Sequence, residues 1–86
     1  MTGSFKGPKD EKLSKEIVKR LGERIKQIRI QLGYETAEAF ANAHDIHRSQ
    51  YSKFEQGQNL TFVTIGLLIS KMGVKYRDFF EEGFDN

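Results

Sequence analysis

The side chains best equipped for chemistry lie in one short stretch, HRSQYSKFE, at residues 47–55. Tyr51 and Phe54 are three apart and are the candidates for burial. What remains is Arg48, Ser49, Gln50, Ser52 and Lys53, with two positive charges and no acid among them. On a helix, spacings of three to five put Arg48, Ser49 and Ser52 or Lys53 on one side. A guanidinium fork spans two parallel acceptors, an ammonium donates to them, and amides and hydroxyls both donate and accept. That set complements the edges of nucleobases: Arg or Lys to guanine, Gln to adenine, Ser to either. It is chemistry of recognition rather than of bond making.

Other chemistry finds less support. His44 and His47 are three apart, but two nitrogens do not make a metal site, and a third ligand would have to come from Asp45 or Glu35. No metal is expected. His44 is read instead as a solvated helix end, and His47 as part of a helix cap where protonation strengthens contact with a phosphate at low pH. Cysteine is absent, which excludes disulfides, thiol nucleophiles and cysteine metal sites. There is no nucleophile elbow, no Gly-rich phosphate loop and no paired carboxylates beside a pocket-forming sequence. Neither an enzyme nor a cofactor is expected.

The elements that must hold this stretch follow from apolar spacing. Residues 1–11 have no periodicity and contain Gly3, Gly7 and Pro8, so they read as a flexible basic arm. Lys6, Lys9 and Lys12 could follow a phosphate backbone, or belong to a disordered tail. A domain is expected over 12–82 and a short tail over 83–86. Ser14 is a cap for a long helix whose apolar face is Leu13, Ile17, Leu21, Ile25, Ile28 and Leu32, stopped by Gly33. Thr36 caps a second helix, Ala37 to Ala43, anchored by Phe40. Ile46 anchors the turn into a third, at about 47–55. Thr61 caps a fourth with Phe62, Ile65, Leu68, Ile69 and Met72 as its apolar set, ended by Gly73. A fifth surrounds Tyr76–Glu81, with Phe79 for the core. Nothing alternates long enough for a strand, and the expected class is all-α with five helices.

Eighty-six residues suffice for one domain with a small core. The formal net charge of +2 identifies no partner by itself, but its distribution is uneven. Nine Lys or Arg face four acids over residues 6–29, whereas the last eleven residues set Arg77 against Asp78, Glu81, Glu82 and Asp85. One end is a candidate phosphate-facing region and the other repels DNA. No 18-residue apolar run or signal-peptide pattern is found, so a cytoplasmic protein without membrane contact is expected.

Taken in order, LGERIKQIR (21–29), TAEAFA (36–41), DIHRSQYSKFEQG (45–57), NLTFVTIGLLISKMGV (59–74) and RDFF (77–80) resemble the repressor/Cro-type helix-turn-helix family, the phage-repressor-like, xenobiotic-response-element group of bacterial transcriptional regulators. The likeness covers about 60 of the 86 residues. It implies a five-helix, lambda-repressor-like DNA-binding domain whose third helix enters the major groove of double-stranded DNA, and a regulator that acts by occupying a promoter, with repression as the expected outcome. Carried over by position, Arg48, Ser49 and Lys53 fall on base edges, with Gln50 a secondary candidate. Thr36 and Ala37 fall where a helix start meets a phosphate, and Gln56 and Asn59 match backbone contacts. Arg29 and Glu55 match an ion pair that ties the recognition helix to the scaffold.

Three departures accompany the resemblance. Ala37 stands where members often have a Gln that orders a phosphate contact. One extra residue separates Gly33 from Thr36. Tyr51 replaces an aliphatic residue, either filling core volume, the favoured reading, or sending its hydroxyl toward the DNA backbone. The resemblance also implies a homodimer across two half-sites, with Phe80 or Phe84 as interface candidates. The alternative is an antitoxin or another protein–protein module, which would bind a toxin or regulatory protein through the acidic, Phe-rich C-terminal end.

Overall fold

The computed structural model describes residues 7–84, with side chains from Asp10 onward. It is all-α, with five helices in the order α1 (Gly7–Gln31), α2 (Ala37–Ala43), α3 (Arg48–Glu55), α4 (Phe62–Met72) and α5 (Tyr76–Glu81). Residues 1–6 of the expected arm, Lys6 among them, and residues 85–86 of the expected tail lie outside the described residues.

Helix α1 starts at Gly7, not near Ser14, so residues 7–11 of the expected arm are helical. Pro8 falls in the first turn, where its missing N–H leaves no bond unmade, and Asp10 in the same turn faces the positive end of the helix dipole. Neither condition needs an apolar residue, which is why periodicity alone missed this start. At the other end Gly33 adopts φ 98°, and Tyr34 N donates to Arg29 O at 3.1 Å, closing the helix.

The other starts and stops are local too. Thr36 Oγ1 accepts from Ala39 N at 3.0 Å and Thr61 Oγ1 from Thr64 N at 3.1 Å. The turn between α2 and α3 is held by Ile46 N donating to Ala41 O at 2.9 Å, with Asp45 in the left-handed region at φ 57°. Gly73, also left-handed, caps α4.

The core collects Ile25 and Ile28 from α1, Phe40 and Ala41 from α2, Tyr51 and Phe54 from α3, four residues of α4 (Ile65, Leu68, Ile69, Met72) and Phe79 from α5. Aromatic rings link the middle of it. Tyr34 meets Phe40 edge-on at 5.3 Å, Phe40 lies 4.9 Å from Tyr51, and Tyr51 meets Phe54 edge-on at 6.4 Å. Such contacts add to area burial and suit a small domain.

Only part of the α1 stripe is interior. Ile25 and Ile28 are buried and Leu21 is partly so, whereas Leu13, Ile17 and Leu32 are exposed. A helix of 25 residues is roughly 37 Å long, and its partners are 6 to 11 residues each, so its N-terminal turns overhang the core. Phe62 of α4 is likewise exposed rather than interior.

Arg24 occupies the same inner face of α1 and is buried. Its Nε donates to Phe79 O and its Nη2 to Asp78 O, both at 2.6 Å, and Nη1 reaches Gln27 and Glu82. The guanidinium thus satisfies carbonyls at the end of α5, which has no following turn to do so. Arg20 Nη1 donates to Phe84 O at 2.9 Å, and the Phe84 ring lies 6.1 Å from Phe79 and 5.2 Å from Phe80. Part of the expected tail is therefore fastened to α1.

Candidate functional site

Three contacts fix α3 from below. Arg29 is buried, and its Nε and Nη2 reach the two carboxylate oxygens of Glu55 at 2.6 and 3.3 Å while Nη1 donates to Tyr34 O at 2.8 Å. The expected pair is present. The hydrogen bond to Glu55 outweighs the burial that opposes it and raises the guanidinium above its ordinary value, so the charge persists. A second contact is made of glycine. A Cβ at Gly22 would collide with the Glu55 carbonyl and come within 2.8 Å of Gly57 N, and one at Gly57, φ 82°, within 2.6 Å of Val18 O. The end of α3 therefore lies backbone to backbone on α1. Third, Tyr51 is fully buried, with its hydroxyl turned toward the Arg29–Glu55 pair and interacting with it, but outside strict hydrogen-bond geometry. Burial first, and the Glu55 carboxylate second, push its phenol well up from 10.0. The core reading of Tyr51 is the one realised.

With that face anchored, the opposite face stands free. Arg48, Ser49, Gln50 and Lys53 are all exposed. Ser52 is half-buried, and its hydroxyl accepts from Gln56 Nε2 at 3.3 Å, so it sits at the margin rather than the centre of the face. His47 occupies the N-cap position without a side-chain cap bond. The first-turn amides of α3 are thus uncapped by side chains, next to the exposed donors. The arrangement presents a guanidinium, an ammonium, an amide and a hydroxyl on one short rigid helix. It can donate hydrogen bonds to a row of acceptors and carries positive charge.

Thr36 and Ala37 lie at the start of α2; the Thr36 hydroxyl accepts the cap bond and Ala37 is half-buried. Gln56 and Asn59 are both exposed in the segment after α3, with Asn59 in the left-handed region at φ 58°. His44 differs from expectation. It does end α2, as its C-cap, but it is half-buried rather than solvated: its ring lies 4.3 Å from that of Phe40 and meets Tyr34 edge-on at 5.8 Å, and its carbonyl accepts from Lys71 Nζ at 3.3 Å. An aromatic neighbour on the adjoining turn draws the imidazole inward.

Two features escaped sequence reasoning. Glu38 Oε2 pairs with Arg48 Nη1 at 3.2 Å, placing an acid beside the foremost cation of the face. Both partners are more than half exposed, so the pair contributes at most about 1 kcal/mol. The available signal was that each stands in the first turn of one of two consecutive short helices. The other is the inward turn of Arg24, which, together with the expected pairing of Arg29, removes two charges from the basic stretch read as phosphate-facing. For Arg24 the signal was its place between Leu21 and Ile28 on the apolar stripe.

Comparison of the chain with family models, with curated proteins and with solved structures gives no match in any of the three.

Proposed function

We propose that this chain binds double-stranded DNA in a sequence-specific manner as a transcriptional regulator, with α2, its turn and α3 forming a helix-turn-helix of the lambda-repressor-like kind and α3 lying in the major groove. One observation carries the reading. The inner face of α3 is held rigidly by Tyr51, Phe54, the Arg29–Glu55 pair and the Gly22–Gly57 approach, while Arg48, Ser49, Gln50 and Lys53 stand exposed on its outer face. Base reading needs donors held on a helix narrow enough for the groove, and this helix is narrow, short and donor-rich.

In this reading Arg48 leaves Glu38, a weak exposed partner, for the acceptors of a guanine. Thr36 and Ala37 at the start of α2, and Gln56 and Asn59 after α3, meet phosphates and set the register without reading sequence. Occupation of a promoter then represses transcription without any chemistry by the protein. Selection from a random pool of duplexes tests the proposal. Enrichment of a defined motif supports it, and weak binding indifferent to sequence refutes it.

An antitoxin-like protein module is the second reading, favoured by the exposed Phe80 beside exposed Glu81 and Glu82. A stoichiometric protein partner recovered with the full chain, together with no shift of any duplex, would select it over the first.

A further inference from the structure

A groove of ≈ 190 Å³ runs between the turn into α3, α3 itself and one side of α4. Its apolar wall is Ile46, Phe54, Leu67 and Leu68, of which Phe54 and Leu68 belong to the buried core. Leu67 is 57% exposed, although it stands beside that core on the same helix. Asp45, Gln50 and Lys71 line the groove as well, so an apolar wall adjoins two opposite charges and an amide. The charges are placed by the backbone. Asp45 takes φ 57° in a turn closed by Ile46 N donating to Ala41 O at 2.9 Å. Lys71 Nζ donates to His44 O at 3.3 Å, which brings the ammonium to the residue before Asp45. Even so, the two form no ion pair with each other, nor with any other side chain among the described residues.

We infer that this groove binds a small zwitterion with an apolar side chain, that is, a free aliphatic amino acid such as leucine. Its α-ammonium faces Asp45, its α-carboxylate faces Lys71, and its side chain lies on Ile46, Phe54, Leu67 and Leu68. Charge selects this class over its neighbours. A fatty-acid carboxylate gains from Lys71 but is repelled by Asp45, and a simple amine meets the reverse. A nucleotide sets phosphate charge beside Asp45. Size points the same way, because pockets for drug-sized molecules hold roughly 300–1,000 Å³ and this one is smaller. Covering Leu67 takes apolar surface out of water, and each charged end of the ligand adds a hydrogen bond of the stronger kind.

Gln50 gives the site a consequence, since it lines the groove and is also one of the exposed donors of α3. A bound amino acid touches a side chain assigned above to base reading, and so tunes the affinity for DNA. That consequence rests on the proposed function. Occupation of the groove does not.

Titration of the full, isotope-labelled chain with L-leucine, without DNA, tests the inference through its amide shifts. The shifts should saturate and concentrate at residues 45–50 and 64–71. Leucinamide, which lacks the carboxylate, and isocaproate, which lacks the ammonium, should each bind roughly tenfold or more weakly. Glycine, without the apolar side chain, should give no saturable shift. Asp45→Asn and Lys71→Gln should each weaken leucine binding by a similar factor. Both positions are exposed, and asparagine tolerates the left-handed backbone as aspartate does, so the thermal midpoints should hold. Shifts that never saturate with leucine overturn the inference. So does binding of glycine as tight as that of leucine, or leucine binding undiminished in both variants. Selection of a DNA motif can fail while the leucine titration succeeds, or the reverse, so the two proposals fall separately.

Discussion

Replacing Tyr51 by Phe removes one oxygen from the middle of the core and should stabilise the protein. The Tyr51 hydroxyl is enclosed and lies beside Glu55 without reaching good hydrogen-bond geometry, and the ring contacts with Phe40 at 4.9 Å and Phe54 at 6.4 Å do not involve it. An unpartnered buried hydroxyl costs about 1–3 kcal/mol in proteins, and losing its dispersion contacts returns only a few tenths. The net gain should be about 1 kcal/mol, raising the thermal midpoint by about 4–8 °C in a domain of this size. Alkaline pH supplies a second readout. The phenol's ordinary value is 10.0, and burial with Glu55 beside it raises it in the fold. The native state then keeps a proton that the unfolded chain has released, so this contribution is complete below pH 10 and is lost as pH rises above it. Wild type should lose about 1 kcal/mol between pH 10 and pH 11 that Tyr51→Phe does not lose. Urea unfolding of both proteins at neutral and alkaline pH measures the two effects. A variant less stable than wild type by 1 kcal/mol or more would refute the reasoning, since the hydroxyl would then be donating a hydrogen bond that matters.

Four other substitutions bear on the site and its support. Arg48→Ala should cost roughly 1–3 kcal/mol in binding to the selected DNA motif and little on scrambled duplex; equal losses on both contradict base reading. Glu38→Gln, by freeing Arg48 and removing a negative charge beside it, should tighten DNA binding by roughly two- to fivefold at low salt and less at high salt, as measured by fluorescence anisotropy. Gly22→Ala should destabilise by about 1–3 kcal/mol despite alanine's better helix propensity, because its Cβ meets backbone that cannot rotate away. Arg24→Met should cost about 1–3 kcal/mol and raise hydrogen exchange first in α5, whose terminal carbonyls lose their donor.

Features fixed by neighbours in the chain were legible in advance. Thr36 and Thr61 cap the helices assigned to them, and Gly33 and Gly73 end theirs, because capping involves three or four consecutive residues. The inward turn of Tyr51 and Phe54, with Arg48, Ser49, Gln50 and Lys53 outward, follows from helical period alone. What escaped depends on how far other elements reach. Leu13 and Ile17 continue the stripe of Ile25 and Ile28, yet no periodicity reveals that the N-terminal turns of α1 outrun its partners. Phe62 is as apolar as Ile65, yet the first is exposed and the second buried, a difference set by how the helices pack and not by residue type. Close approach at Gly22 and Gly57 joins residues 35 apart, beyond any local pattern.

The glycine crossing also separates what α3 displays from what holds it. Its tilt is set by main-chain atoms against α1 and by side chains on the hidden side, so Ser49, Gln50 and Lys53 bear no structural duty and Arg48 only a slight one. Exchanging those four residues would rewrite the message while leaving the hand that carries it in the same pose. A chain built this way can acquire a new target through a few surface changes, without first surviving a loss of stability.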